Sequence, residues 1–305
     1  MRLTYKVLIS VFIAFLFFNC KTTNNLYRGI EEIRINYSDT VSSFIYPIYR
    51  KPNNNTVIIV IGGSGYSSVL GSKICGFSTG YSTAGLLNLG FSNEYDLLIL
   101  EKPNLKPFEN GDGKINLLQI YTVEDLSTIY AKIIDYFIFN SNYDNIILFG
   151  HSEGGRLVPA IYNKTFTKDE LDKLIISGSG AISQEEQLRL LIEHGVIEGI
   201  SIEKFDQKIS EIYNNPNSLD LFWWNHPYIR WASFLKYEYL SDLEKINIPI
   251  LIVHGTNDKS VPVESIRVVF DEHRSKNNIT YYEMEGGHGV VFNNLEKVEE
   301  WIVIE

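Results

Sequence analysis

Gly150-His151-Ser152-Glu153-Gly154 constrains this chain more than any other stretch. The apolar run Ile146-Ile147-Leu148-Phe149 before it predicts a short buried strand, and Arg156-Leu157-Val158-Pro159-Ala160-Ile161-Tyr162 after it predicts the start of a helix. Five residues can join the two only through a very tight turn. A Cβ at Gly150 or Gly154 would crowd the strand or the helix, so both positions call for residues without side chains. A strand, turn and helix of this kind form a nucleophile elbow, with the serine hydroxyl held proud of the sheet edge at the positive end of a helix. Ser152 is the candidate nucleophile.

A serine hydroxyl is a poor nucleophile at neutral pH, so it needs a base and a group that orients that base. The chain has six histidines. His151 lies in the turn itself and is expected to point away from Ser152. His194 and His226 fall in a middle segment, His254 closes the strand Ile250–Val253, and His273 sits on a surface helix beside Glu272 and Arg274. His288 differs from these. It lies in Gly286-Gly287-His288-Gly289, just after a predicted last strand, Thr280–Met284. Glycines on both sides let this loop carry an imidazole against another loop, which makes His288 the candidate base.

The orienting acid should fall between serine and histidine in the chain. His254-Gly255-Thr256-Asn257-Asp258-Lys259-Ser260-Val261-Pro262 reads as a strand end, a turn, an aspartate and a helix beginning near Pro262. Asp258 would also suit a plain turn or helix cap. Competing positions fit less well. The strand Leu174–Ser177 runs into Gly178-Ser179-Gly180-Ala181 with no carboxylate at its tip, and Glu285 is expected on a strand. Asp258 is the candidate acid.

Four features stand in a fixed order: Gly62-Gly63-Ser64-Gly65 after an apolar strand, the turn at Ser152, the acid turn at Asp258 and the histidine loop at His288. In this the chain resembles the α/β-hydrolase superfamily over residues 55–303. The resemblance implies an α/β fold with a mostly parallel eight-stranded sheet, helices on both faces, and a Ser-His-Asp triad at the carboxyl ends of the strands. The strand pattern agrees independently. Thr56–Ile61, Asp96–Leu100, Asn145–Phe149, Lys173–Ser177, Pro249–His254 and Thr280–Met284 alternate with helical or irregular stretches, as in a parallel sheet. The extended piece Ser43–Arg50 is expected to supply antiparallel edge strands.

The resemblance also implies an oxyanion hole. One donor would be the Ser64 amide, or that of Gly63 or Gly65 if the register slips, and the other the amide of Glu153. Many relatives begin this loop with histidine, where this chain has Ile61-Gly62. A phosphate-binding loop is the competing reading of a glycine-rich strand-to-helix turn. Neither Gly-x-x-x-x-Gly-Lys-Ser/Thr nor Gly-x-Gly-x-x-Gly is present.

The chemistry implied is acyl transfer. Ser152 would attack an ester, thioester or amide carbonyl, His288 would take its proton, and Asp258 would hold the histidine tautomer. Water would then release the acyl group. Serine in the turn argues against the dehalogenase and epoxide-hydrolase branches, which carry aspartate there. No cofactor is called for, and the two cysteines and scattered histidines lack zinc-like spacing.

Residues 183–241 exceed what the sheet needs, and at this position the superfamily carries a small helical cap. Leu188, Leu191 and Ile192 have helical spacing, as do Phe205, Ile209 and Ile212. An aromatic block follows, from Phe222 through Trp223, Trp224, Tyr228 and Trp231 to Phe234 and Tyr237. Its rings either pack the cap onto the core or line an acyl pocket. On the second reading, Trp223, Trp224 and Trp231 would form the pocket, with Arg230 available to an anionic group. The substrate would be a small acyl compound.

The amino terminus speaks to location. Arg2 and Lys6 precede Val7–Phe18, an apolar stretch that reads as a signal peptide, short for a spanning helix. Cys20 immediately after it resembles the acceptor of bacterial lipoproteins, although Phe17-Phe18-Asn19 departs from the small residues usual before the cleavage point. Residues 1–20 are thus expected to be a leader, 21–28 a tether, and 29–305 one catalytic domain with its cap. Export to the bacterial cell envelope follows, with a lipid on Cys20 or an uncleaved leader as the membrane attachment. If Cys20 is lipidated, Cys75 has no disulfide partner and reads as a small buried residue. The formal net charge of −10 argues against nucleic acid as a partner. Two classes of function remain: an envelope serine hydrolase, and a noncatalytic surface lipoprotein that uses the same fold as a binding platform. Nothing in the sequence sets an oligomeric state.

Overall fold

In the computed structural model, residues 32–36, 38–39, 41–74, 77–79, 87, 90–110, 115–272 and 276–304 are described. The leader, Cys20, the tether 21–28 and Cys75 lie outside them. Among the described residues, no helix is long and apolar enough to cross a membrane.

Eight strands form the main sheet: β1 (Ile33–Asn36), β2 (Ser42–Ile48), β3 (Thr56–Ile61), β4 (Asp96–Leu100), β5 (Asn145–His151), β6 (Lys173–Ser177), β7 (Ile250–Gly255) and β8 (Ile279–Met284). Their spatial order is β1-β2-β4-β3-β5-β6-β7-β8. From β4 to β8 every pairing is parallel, whereas β2 runs antiparallel to both of its neighbours. The segment expected at the sheet edge is therefore internal. The short strand β1 covers it and forms the edge.

The central strands read as continuous apolar runs because helices cover both faces of the sheet. Alternation divides their side chains between two cores. Val57, Ile59 and Ile61 of β3, with Ile146 and Leu148 of β5, enter one core, while Ile58, Val60, Ile147 and Phe149 enter the other. Helix α1 (Val123–Phe139) starts where the Thr122 side chain accepts from the Asp125 amide, and α2 (Glu153–Lys164) follows β5 directly.

Between β6 and β7 the chain builds a helical layer of its own. Helix α3 (Gln184–Glu193) opens with a capping box between Ser183 and Glu186, and α4 (Ile202–Asn214) opens on Ser201. Helices α5 (Tyr228–Lys236) and α6 (Tyr239–Leu243) return to the sheet. Phe205, Ile209, Ile212, Trp223, Tyr228 and Trp231 form a third, separate core within this cap. Beyond β7 lie α7 (Glu264–Glu272) and α8 (Leu295–Ile304).

Candidate active site

Ser152 occupies the step between β5 and α2 with φ 58° and ψ −120°, a backbone conformation rare for a residue with a side chain. The turn is held by its packing. A Cβ on Gly154 would lie 2.3 Å from the Ile61 carbonyl oxygen, and one on Gly150 would lie 2.6 Å from the Gly154 backbone. Both glycines are therefore forced by close approach. The Ser152 amide donates to the Ser177 carbonyl at 2.8 Å, which pins the turn to β6. The loop after β3 also lies against the serine, since a Cβ on Gly63 would be 3.6 Å from Ser152 Oγ. Ser64, Ser152 and Glu153 line one cavity of about 150 Å³ beneath the cap. The Glu153 amide belongs to the first turn of α2, whose N–H groups have no intrahelical partners.

Asp258 and His288 arrive from the ends of β7 and β8, which pair in register up to Gly255 and Met284. The two loops are stitched together by the Asn257 amide donating to the Gly286 carbonyl at 2.9 Å. His288 Nδ1 and Asp258 Oδ2 are 2.7 Å apart. Asp258 Oδ1 accepts from the amides of Ser260 and Val261 at 2.8 and 2.9 Å. Burial opposes the Asp258 charge, but the His288 contact and the two amides outweigh it and hold the carboxyl below its ordinary range. With Asp258 ionised, His288 carries its proton on Nδ1, leaving the Nε2 lone pair free to accept. Ser152 Oγ is not hydrogen-bonded among the described residues.

Two further histidines crowd this pair. His254 Nε2 donates to the Val261 carbonyl at 3.0 Å and stands 3.5 Å from Asp258 Oδ2. The His151 ring centroid is 4.9 Å from that of His288 and 4.8 Å from that of Phe292. Burial first, and the neighbouring His288 second, push the His151 pKa down to about 3, against the pull of Asp258. The unfolded chain would protonate this histidine near pH 6.5. Between those values the unfolded state holds more protons, so stability falls as pH falls, by roughly 4 kcal/mol at the acid end. His151→Asn is expected to flatten that slope. Urea midpoints measured from pH 7 to pH 4 check this, and an unchanged slope would contradict it.

The side chain of Glu153 is buried and faces the cap. Its Oε2 accepts from Arg230 Nη2 at 2.6 Å and its Oε1 from the Tyr121 hydroxyl at 2.7 Å. The Arg230 guanidinium lies 4.3 Å from the Phe234 ring centroid and 4.7 Å from that of Trp231. Burial works against the Glu153 charge, yet the Arg230 cation and the hydrogen bonds from Tyr121 and Arg230 keep the carboxyl below its usual range. Arg230→Met would strand that carboxylate and is expected to cost about 3–5 kcal/mol. Adding Glu153→Leu should recover much of the loss in urea denaturation. Equal instability of the single and double variants would contradict the pairing.

Two expectations for the pocket change. Arg230 lines the cavity, but its charge is already matched by Glu153 rather than available to a substrate. The tryptophans do not line the cavity. Trp231 Nε1 donates to the Trp223 carbonyl at 2.7 Å, inside the cap's own core. Trp224 sits at the tip of a two-residue hairpin turn with φ 44°, half exposed and stacked on Trp223 at 4.0 Å. Arg156, Ser179, Leu188 and Leu191 line the cavity instead. Arg156 carries a sequence signal of its own: a cation in the first turn of a helix opposes the helix dipole.

Ser152, Asp258 and His288 follow the carboxyl ends of the parallel strands β5, β7 and β8, where open α/β sheets bind ligands. Residues 110–298 match the model of the family described as Serine hydrolase (FSH1). Among solved structures, the chain is similar to Est1E from Butyrivibrio proteoclasticus at 17% identity and TM-score 0.54, over 89% of this chain and 97% of that one. It is similar to the Pyrococcus furiosus esterase Pf2001 at 12% identity and TM-score 0.56, over 92% and 90%. It is also similar to the thioesterase domain from the curacin biosynthetic pathway at 14% identity and TM-score 0.54, over 91% and 100%. At such identities these likenesses concern the fold.

Proposed function

This chain belongs to the serine hydrolase (FSH1) family, and from that premise we propose that it cleaves an ester or thioester of a small acyl compound through Ser152, His288 and Asp258. The observation that carries this reading is the 2.7 Å contact of His288 Nδ1 with a buried Asp258, at the same sheet edge as the strained turn of Ser152. His288 Nε2 takes the Ser152 proton as Oγ attacks the carbonyl carbon. The tetrahedral oxyanion is received by the backbone amides of Ser64 and Glu153. His288 then protonates the leaving oxygen or sulfur, and water, activated by the same imidazole, releases the acid and restores Ser152. Each amide donor contributes on the order of 10²–10³ in rate.

The free Ser152 hydroxyl is what the alternative of a noncatalytic binding platform would also show, so the reading turns on whether the serine is activated. A fluorophosphonate probe is expected to label Ser152, located by peptide mass spectrometry, and to leave Ser152→Ala unlabelled. A folded protein that takes up no label would favour the binding platform.

A further inference from the structure

Buried guanidinium groups are ordinarily paired with a carboxylate, because an unmatched charge inside a protein is costly. Arg156 is an exception. It is buried in the cavity wall beside Ser152, and its Nη1 donates only to the carbonyls of Gly180 and Ile182, at 3.1 and 3.0 Å. Its Nε and Nη2 are buried without a hydrogen-bond partner. No described carboxylate pairs with it. Burial lowers its pKa to about 10, which leaves it charged at neutral pH. A second orphan lies in the same wall, the buried Ser179 hydroxyl.

The other charges of the cavity, Glu153 and Arg230, cancel each other. One positive charge is left over, in a chain whose formal net charge is −10. The unpaired Nε and Nη2 carry two parallel N–H bonds, the arrangement that fits a carboxylate in a bidentate fork. Leu188 and Leu191 supply an apolar wall for methylene groups. The rings of Tyr237 and Tyr239, 5.7 and 6.0 Å from Arg156 Cζ, offset part of the burial cost without supplying a counter-charge.

We propose that the acyl group of the substrate ends in a carboxylate, that Arg156 receives it with help from Ser179, and that the substrates are half-esters or half-thioesters of short dicarboxylic acids. This deepens the catalytic reading of Ser152 and rests on it. Hydrolysis would give the free dicarboxylic acid and an alcohol or thiol.

The test compares 4-nitrophenyl hydrogen adipate with 4-nitrophenyl hexanoate, which differ at the far end of the acyl chain. Wild-type kcat/KM is expected to favour the adipate by on the order of 10- to 100-fold, the range for a hydrogen bond to a charged group. The preference should fall to about one in Arg156→Gln and survive in part in Arg156→Lys. Because the ratio is read within each protein, a general loss of activity does not imitate it. Ser152-dependent hydrolysis of the hexanoate with no preference for the adipate would overturn the anion pocket and leave the catalytic reading standing. A preference for 4-acetoxybenzoate over phenyl acetate, without one for the adipate, would overturn the assignment to the acyl side. Calorimetry of monomethyl adipate with Ser152→Ala decides the pocket even where turnover fails. Binding that weakens at least tenfold when Arg156→Gln is added supports it, and equal or absent binding in both proteins overturns it.

Discussion

Ser152→Ala is expected to lower hydrolysis of activated esters by on the order of 10⁶-fold, the scale found when a serine nucleophile acting as one unit with its base is removed. The loss should fall on kcat, because the cavity wall and the amides of Ser64 and Glu153 stay in place. Stability should hardly change, or rise. Ser152 pays for φ 58° in backbone strain, and alanine bears the same strain without a partly buried hydroxyl. Steady-state kinetics with thermal unfolding on the same samples measures both. Turnover within tenfold of wild type would remove Ser152 from the mechanism.

Asp258→Asn is the second large effect, on the order of 10⁴ in kcat. The local geometry gives the reason. The amides of Ser260 and Val261 already claim the Oδ1 position, so an asparagine must place its oxygen there and turn its NH2 toward His288. Nδ1 then has to accept, the ring proton moves to Nε2, and no lone pair faces Ser152. KM should change little, since Asp258 Oδ2 touches the imidazole and not the cavity. A variant that keeps wild-type kcat would mean that His288 is oriented by something other than Asp258.

Much of the fold was legible because the strands are short apolar runs punctuated by glycine and aspartate. β3, β4 and β6 coincide with their predicted ranges, and β5, β7 and β8 differ by one or two residues at their ends. The elbow was legible for the same local reason, its two glycines being demanded by contacts within and beside the turn. β1 was not foreseen. It is only four residues long and takes its stability from pairing with β2 rather than from any pattern of its own.

The site divides along the same line. The Asp258 and His288 loops could be chosen by chain order and turn chemistry. The partners of Glu153 could not, since Tyr121 and Arg230 reach it from distant parts of the chain. The tryptophans misled for a physical reason. Large rings clustered on a small helical insertion are first needed to give that insertion a core, and Trp223 and Trp231 serve that end. In the sequence, Arg156 marks only the beginning of a helix. Its isolation from every described carboxylate emerges in three dimensions alone.

The pair between Glu153 and Arg230 also bears on how this protein can be recombined. In a scaffold whose cap is an insertion between two strands, the cap would ordinarily count as an exchangeable part. Here the residue next to Ser152 is anchored to it by a buried charge. A grafted cap without an arginine at the matching place would leave an unpaired carboxylate beside the reacting serine, so the graft would fail at its seam however well it folded by itself. The cap and residue 153 should therefore be exchanged as one block in any chimera.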